Sequence, residues 1–173
     1  MIRKATKADI KAISALYEKA IDFEDSHIKY TSWQKGIYPT ADTAKAGIER
    51  DSLFVFEENG SLLASVVLNH KQPPEYRKAK WTLSPSYKEI LVIHTLCVDP
   101  DYSGGGIGTT LVNFIKEYAK SSGCVTIRLN TTAKNEPAKH LYEKNGFRIA
   151  DTKKILLNGQ IPCDEHLFME HII

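Results

Sequence analysis

The 173-residue chain holds only three cysteines, Cys97, Cys124 and Cys163, and no Cys-x-x-Cys. An odd, scattered set does not build a disulfide framework; it suits reduced, buried thiols. The six histidines show no His-x-His, His-Glu-x-x-His or His/Cys spacing, so no metal site is expected. No apolar run is long enough to span a bilayer, and Met1–Thr6 has no signal-peptide apolar region. No membrane partner is therefore expected, and a cytoplasmic location is. Neither sign of charge prevails: 23 Lys and Arg against 21 Asp and Glu give a net +2, which does not point to nucleic acid as a partner. There are ten glycines in all, yet four of them fall at 104, 105, 106 and 108.

That cluster organises the chain. Ile90 to Val98 is an apolar, β-branched run of strand character, and Pro100 ends its hydrogen-bonding potential. From Ile107 apolar residues recur at helical spacing through Leu111, Phe114, Ile115 and Tyr118. A strand, a glycine-rich turn and a helix N-terminus together point backbone N–H groups into one space and cradle phosphates. A tight turn in which glycine only relieves strain is the plainer alternative. A P-loop would need a lysine after the glycines, where Ile107-Gly108-Thr109 has none. A dinucleotide fingerprint would need a third glycine where Thr109 or Leu111 stands.

Around this centre, Ile2 to Ala5 reads as a short strand, and Thr6 with Asp9 as a capping box opening a helix to about Phe23. Residues 24–38 read as irregular and aromatic; Thr40 caps a second helix to about Arg50. Leu53 to Glu57 and Ser61 to Asn69 form a hairpin about Asn59-Gly60. His70 to Glu89, with three prolines and the cations Arg77, Lys78 and Lys80, reads as a solvated connection. The helix from Ile107 closes at Gly123. Val125, Ile127 and Leu129 alternate on a strand, and Asn130 to Lys134 reads as a loop. Asn135 to Lys144 is helical with Gly146 past its end, and Phe147–Leu157, Asn158-Gly159 and Asp164–Ile173 read as a final hairpin. The order β-α-α-β-β-β-α-β-α-β-β predicts a single α/β domain over 1–173, a mixed sheet with helices on both faces.

Two stretches carry a family resemblance. Leu96-Cys97-Val98-Asp99-Pro100, then Ser103-Gly104-Gly105-Gly106-Ile107-Gly108, resembles motif A of the GNAT superfamily of acyl-CoA-dependent N-acetyltransferases. Asn135-Glu136-Pro137-Ala138-Lys139-His140-Leu141-Tyr142-Glu143-Lys144-Asn145-Gly146-Phe147 is similar to the family's Asn-x-x-Ala-x-x-Leu-Tyr-x-Lys-x-Gly-Phe. The opening Ile2-Arg3-Lys4-Ala5-Thr6 with Asp9-Ile10 is also typical. One position departs: Ser103 stands where the family usually has Arg or Gln, which removes a charge near the pyrophosphate. Lys116, Lys134 and Lys139 are candidates to compensate.

The resemblance implies a mostly antiparallel central sheet whose strands splay around acetyl-CoA. It places the cofactor on Leu96, Cys97, Val98, Ser103, Gly104, Gly105, Gly106, Ile107, Gly108, Thr109, Asn135, Ala138 and Tyr142. The implied reaction is direct attack by a small-molecule or peptide amine, with Tyr142 as general acid to the departing thiolate. His94, two residues before Leu96 and so on the same side of an alternating strand, is the candidate base; Glu57 and Glu89 are alternatives. Phe23, Tyr30, Trp33, Tyr38 and Asn69 are nominated for the acceptor wall, and Glu24 and Asp25 could attract a cationic amine. The family often forms homodimers, so one is allowed here. A non-catalytic acetyl-CoA sensor or interaction module on the same fold is the competing reading, and a nucleotide-binding regulator a weaker one.

Overall fold

The computed structural model describes residues 1–157 and 161–173, with side chains for 1–155 and 165–173. The expected Asn158-Gly159 turn and the Cys163 thiol lie outside the described residues. The observed order is β1 (Ile2–Lys4), α1 (Ile10–Ser26), α2 (Ala41–Glu49), β2 (Leu53–Glu58), β3 (Ser61–Asn69), β4 (Ile90–Val98), α3 (Ile107–Ser121), β5 (Thr126–Thr132), α4 (Glu136–Lys144), β6 (Arg148–Leu157) and β7 (Ile161–Ile172). The seven strands form one sheet in the order β1-β2-β3-β4-β5-β7-β6. β1–β2, β2–β3, β5–β7 and β6–β7 pair antiparallel, and β4–β5 parallel.

The chain divides into two compact units, and the division cuts β4 between Ile93 and His94. The first contains Met1–Lys29, Trp33–Leu68 and His94–Leu111. Thr6 donates through its N–H and hydroxyl to Asp9 Oδ2 at 2.7 and 2.9 Å, which starts α1 by way of a short 3-10 turn. α1 runs three residues beyond the expected Phe23, to Ser26, whose hydroxyl returns to Asp22 O at 2.8 Å. Its inner face, Ile13, Leu16 and Tyr17, packs with Ala44, Leu53, Val55, Val67 and Cys97. Each such aliphatic side chain contributes about 1.5–3 kcal/mol on burial. The hairpin turn expected at Asn59-Gly60 forms, with φ of 52° and 77°.

The second unit contains Tyr30–Ser32, Asn69–Ile93 and Val112–Ile173. Two expectations are corrected in it. Residues 130–132 are not loop but the end of β5, because β-branched Thr131 and Thr132 continue the ladder with β7, Asn130 facing Phe168 and Thr132 facing His166. The 70–89 connection carries its cations on the surface as read, but it also buries Tyr76, which packs with Ile90, Val92, Phe168 and Trp81. Arg128 and Glu170, cross-strand partners on β5 and β7, strap it down. Arg128 donates to Gln72 Oε1 and Leu83 O at 2.7 and 2.6 Å and lies over the Trp81 ring; Glu170 accepts the Thr82 N–H at 2.9 Å.

Candidate functional site

In the first unit the strand leading to the glycines changes character midway. The register of β4 with β5 ends at Val92. Three residues on, Thr95 sits in the left-handed region at φ 46°. A β-branched residue is an outlier there, at a cost of roughly 1–3 kcal/mol that the surroundings must offset. The turn also corrects a premise: alternation does not carry through from His94 to Leu96, because Thr95 interrupts it. The Tyr38 hydroxyl hydrogen-bonds Thr95 Oγ1. Cys97 turns its thiol into the core, 3% exposed, and burial raises its pKa well above the usual thiol range. The thiol itself is therefore closed to a ligand.

After Val98 the Asp99 carboxylate accepts the Asp101 N–H at 3.0 Å and sets a 3-10 turn over Pro100–Tyr102. Gly104 and Gly106 follow at φ 80° and 84°, values that suit glycine alone. A Cβ on either would meet no atom within 4 Å, so each faces open space. The Gly105 N–H returns to Tyr102 O at 3.2 Å, and the Thr110 N–H to Gly106 O at 3.0 Å. The amides of Ile107, Gly108 and Thr109 between them are those a helix start leaves without an intrahelical acceptor. A cavity of about 400 Å³ opens beside this turn, lined by Phe56, Glu58, Asp101, Ser103, Gly105 and Ile107 among others. Open glycine faces beside free helix-start amides fit a phosphate-bearing ligand. Ser103, exposed, adds a neutral hydroxyl.

In the second unit Asn135 caps α4 by accepting the Ala138 N–H at 3.1 Å, which leaves its side-chain NH2 available. Tyr142 is 4% exposed, against Phe147 at 5.2 Å between ring centres. Burial raises its phenol above the usual tyrosine range, so it stays protonated at neutral pH. A polar chain unread in the sequence lies in the same unit. Tyr76 donates to Asn130 Oδ1 and Asn130 Nδ2 meets His166 Nδ1, both at 2.9 Å. Desolvation lowers His166 to about 4, and its Nε2 is buried without a hydrogen-bond partner.

The nominated acceptor residues fall in both units. In the first, Phe23 is 42% exposed and stacks on His27, Trp33 packs edge-on to Tyr17 in the core, and Tyr38 holds Thr95. In the second, the Tyr30 carbonyl accepts from Thr132 Oγ1, and Asn69 Oδ1 accepts the Lys71 N–H at 2.8 Å. Other nominated charges are engaged. Glu57 and Asp9 share the Arg3 guanidinium at 2.7 and 2.8 Å. Glu89 accepts the Ser86 hydroxyl and N–H at 2.5 and 3.0 Å, and that hydroxyl lowers its pKa. Asp25 pairs with Lys29, Lys139 with Glu136, and Lys116 donates to Asn145 O. Among the described residues no group of three or more His, Cys, Asp or Glu is placed to hold a metal ion, and no helix is long and apolar enough to cross a membrane.

The chain is similar to known proteins in sequence and in fold. An uncharacterized N-acetyltransferase from Methanocaldococcus jannaschii is 30% identical over 154 residues, 88% of this chain and 62% of that protein, so the chain spans less than two thirds of that relative. A GNAT-family acetyltransferase structure from Streptococcus agalactiae superposes with a TM-score of 0.83 at 22% identity, covering 100% of this chain and 95% of the other. A Salmonella typhimurium acetyltransferase, solved with its cofactor acetyl-CoA, gives 0.71 at 20% identity, covering 99% and 92%. The Acetyltransferase (GNAT) family pattern matches residues 14–147, and with that match over most of its length the chain belongs to the GNAT acetyltransferase family.

Proposed function

We propose that residues 1–173 work as one catalytic domain that transfers an acetyl group from acetyl-CoA to a primary amine of a small molecule or peptide. The observation that carries this reading is the turn after β4, where Gly104 and Gly106 open onto empty space beside the free amides of a helix start. The Salmonella typhimurium structure with acetyl-CoA supports the choice of ligand. Bound acetyl-CoA supplies a thioester-activated acetyl group. The helix-start amides of Ile107, Gly108 and Thr109 hold its pyrophosphate, and the main chain of Leu96, Cys97 and Val98 pairs with its amide-bearing arm as an added strand would. Asn135, at the head of α4 with Ala138, offers the same arm its side-chain NH2.

The proton work falls to two side chains. Tyr142, kept neutral by burial, gives its proton to the departing thiolate. The backbone N–H of Val98 stabilises the charge that develops on the acyl oxygen. His94 accepts the proton of the attacking amine, directly or through water. The two carboxylate alternatives are engaged elsewhere: Glu57 pairs with Arg3, and Glu89 accepts from Ser86, which lowers its pKa.

Thermal-shift titration with acetyl-CoA, CoA, ATP and NAD tests the ligand, since a molecule that binds only the folded state raises the melting temperature. Acetyl-CoA and CoA should shift it; a shift with ATP or NAD alone overturns the reading. An amine panel read by thiol release then tests catalysis, and acetyl-CoA binding with no thiol release from any amine would leave a binding module. His94→Ala should remove a limb of the pH–rate profile near neutrality. An unchanged profile at full rate would remove His94 from the mechanism.

A further inference from the structure

Thr95 is held in a conformation its side chain disfavours, in the middle of β4 and between His94 and Leu96. Such a conformation persists where neighbouring groups over-determine it. One of those groups is identifiable. The Tyr38 hydroxyl meets Thr95 Oγ1 across 57 residues of sequence. The phenol is not carried on a loose segment. The Gln34 N–H donates to Tyr38 O at 2.9 Å and the Tyr38 N–H returns to Gln34 O at 3.0 Å, so a closed turn presents the ring. Burial raises the Tyr38 phenol above its ordinary range, which keeps the hydroxyl neutral and able to hydrogen-bond at any physiological pH.

We infer that Tyr38 is a positioning residue for acyl transfer: its hydroxyl holds Thr95 in the left-handed conformation and so sets the direction of the peptide groups from His94 to Leu96. The inference rests on the acetyl-transfer reading. It gives Tyr38 a task other than lining the acceptor wall. It also predicts a specific coupling. A residue that needs no help to adopt φ 46° should make the tyrosine hydroxyl dispensable, and glycine is such a residue.

The test compares wild type, Tyr38→Phe, Thr95→Gly and the double variant. The readouts are kcat, KM for acetyl-CoA and for the amine, melting temperature, and the carbonyl stretch of bound 13C-labelled acetyl-CoA by isotope-edited infrared. Tyr38→Phe should lower kcat roughly 10- to 100-fold, as a small misplacement of reacting groups does. Both KM values should stay within about twofold, and the carbonyl stretch should move toward its value in water. In the Thr95→Gly background the same change should cost less than about threefold in kcat. Thr95→Val, which keeps the shape and loses the hydroxyl, should reproduce the Tyr38→Phe loss and not add to it; this variant decides the matter if Thr95→Gly fails to fold. Equal kcat losses in both backgrounds overturn the tether. So does a rise in amine KM alone, which would make Tyr38 an acceptor-wall residue. A kcat loss that follows the melting temperature with an unmoved carbonyl stretch would make the contact merely structural, and overturns it too. Wild-type protein that neither binds acetyl-CoA nor releases thiol overturns the acetyl-transfer reading itself, a result distinguishable because it appears before any substitution.

Discussion

Along β4, Ile90, Leu91, Val92 and Ile93 are each at most 5% exposed, and the first three pair with β5 in regular parallel register. His94, Thr95 and Leu96 are half-buried, Thr95 turns left-handed, and the register with β5 has ended. The incoming half satisfies its backbone in the sheet and its side chains in the core. The outgoing half buries its side chains less fully, and it runs into the open glycines at 104 and 106. One continuous strand therefore has a half packed into the core and a half-buried part beside the residues proposed to meet acetyl-CoA.

The sharpest way to break this comparison is Gly106→Asp. Its side chain enters the space the glycine leaves open, adds negative charge at the proposed phosphate site, and strains a position at φ 84°. Acetyl-CoA binding by calorimetry should fall by more than about 100-fold, while urea unfolding shows a loss of only about 1–2 kcal/mol. Binding at wild-type affinity would mean that the cradle lies elsewhere. Next in size, Tyr142→Phe should lower kcat by about 10²-fold, the low end for a general acid, with the acetyl-CoA dissociation constant nearly unchanged. A weakened dissociation constant at normal kcat would make the tyrosine a packing residue.

The two halves should also separate in stability. Leu91→Ala, in the fully packed half, should cost about 2–5 kcal/mol in urea unfolding. Leu96→Ala, in the half-buried part, should cost under about 2 kcal/mol and act mainly on acetyl-CoA binding. Equal losses would erase the distinction.

The smallest effect lies in the second unit. Burial lowers His166 to about 4 from an ordinary 6.5, so the unfolded chain binds the extra proton first. Its contribution is complete above pH 6.5 and is lost as pH falls toward 4. A urea-midpoint series against pH should show that loss in the wild type, and His166→Gln should flatten it. An unflattened curve would place the titration elsewhere.

What the sequence by itself determined is what neighbouring residues decide among themselves. Thr6 with Asp9 caps the first helix, Asn59-Gly60 turns a hairpin, and alternation and helical spacing set the element order. The glycines at 104 and 106 and the Asn135–Phe147 stretch were legible for the same reason: each works through its own backbone and the residues next to it. Tertiary structure decided what distant residues settle together. Nothing around Thr95 distinguishes it from an ordinary strand threonine until Tyr38 arrives from 57 residues away. Tyr76 reads as part of a solvated, proline-rich connection until Asn130, 54 residues on, receives its hydroxyl and Phe168 its ring. Asn130 in turn reads as loop until β7 pairs with it and brings His166 alongside. Local propensity is written in the composition of a few consecutive residues, whereas strain, burial and buried hydrogen bonds are set by partners that only the folded chain brings within reach.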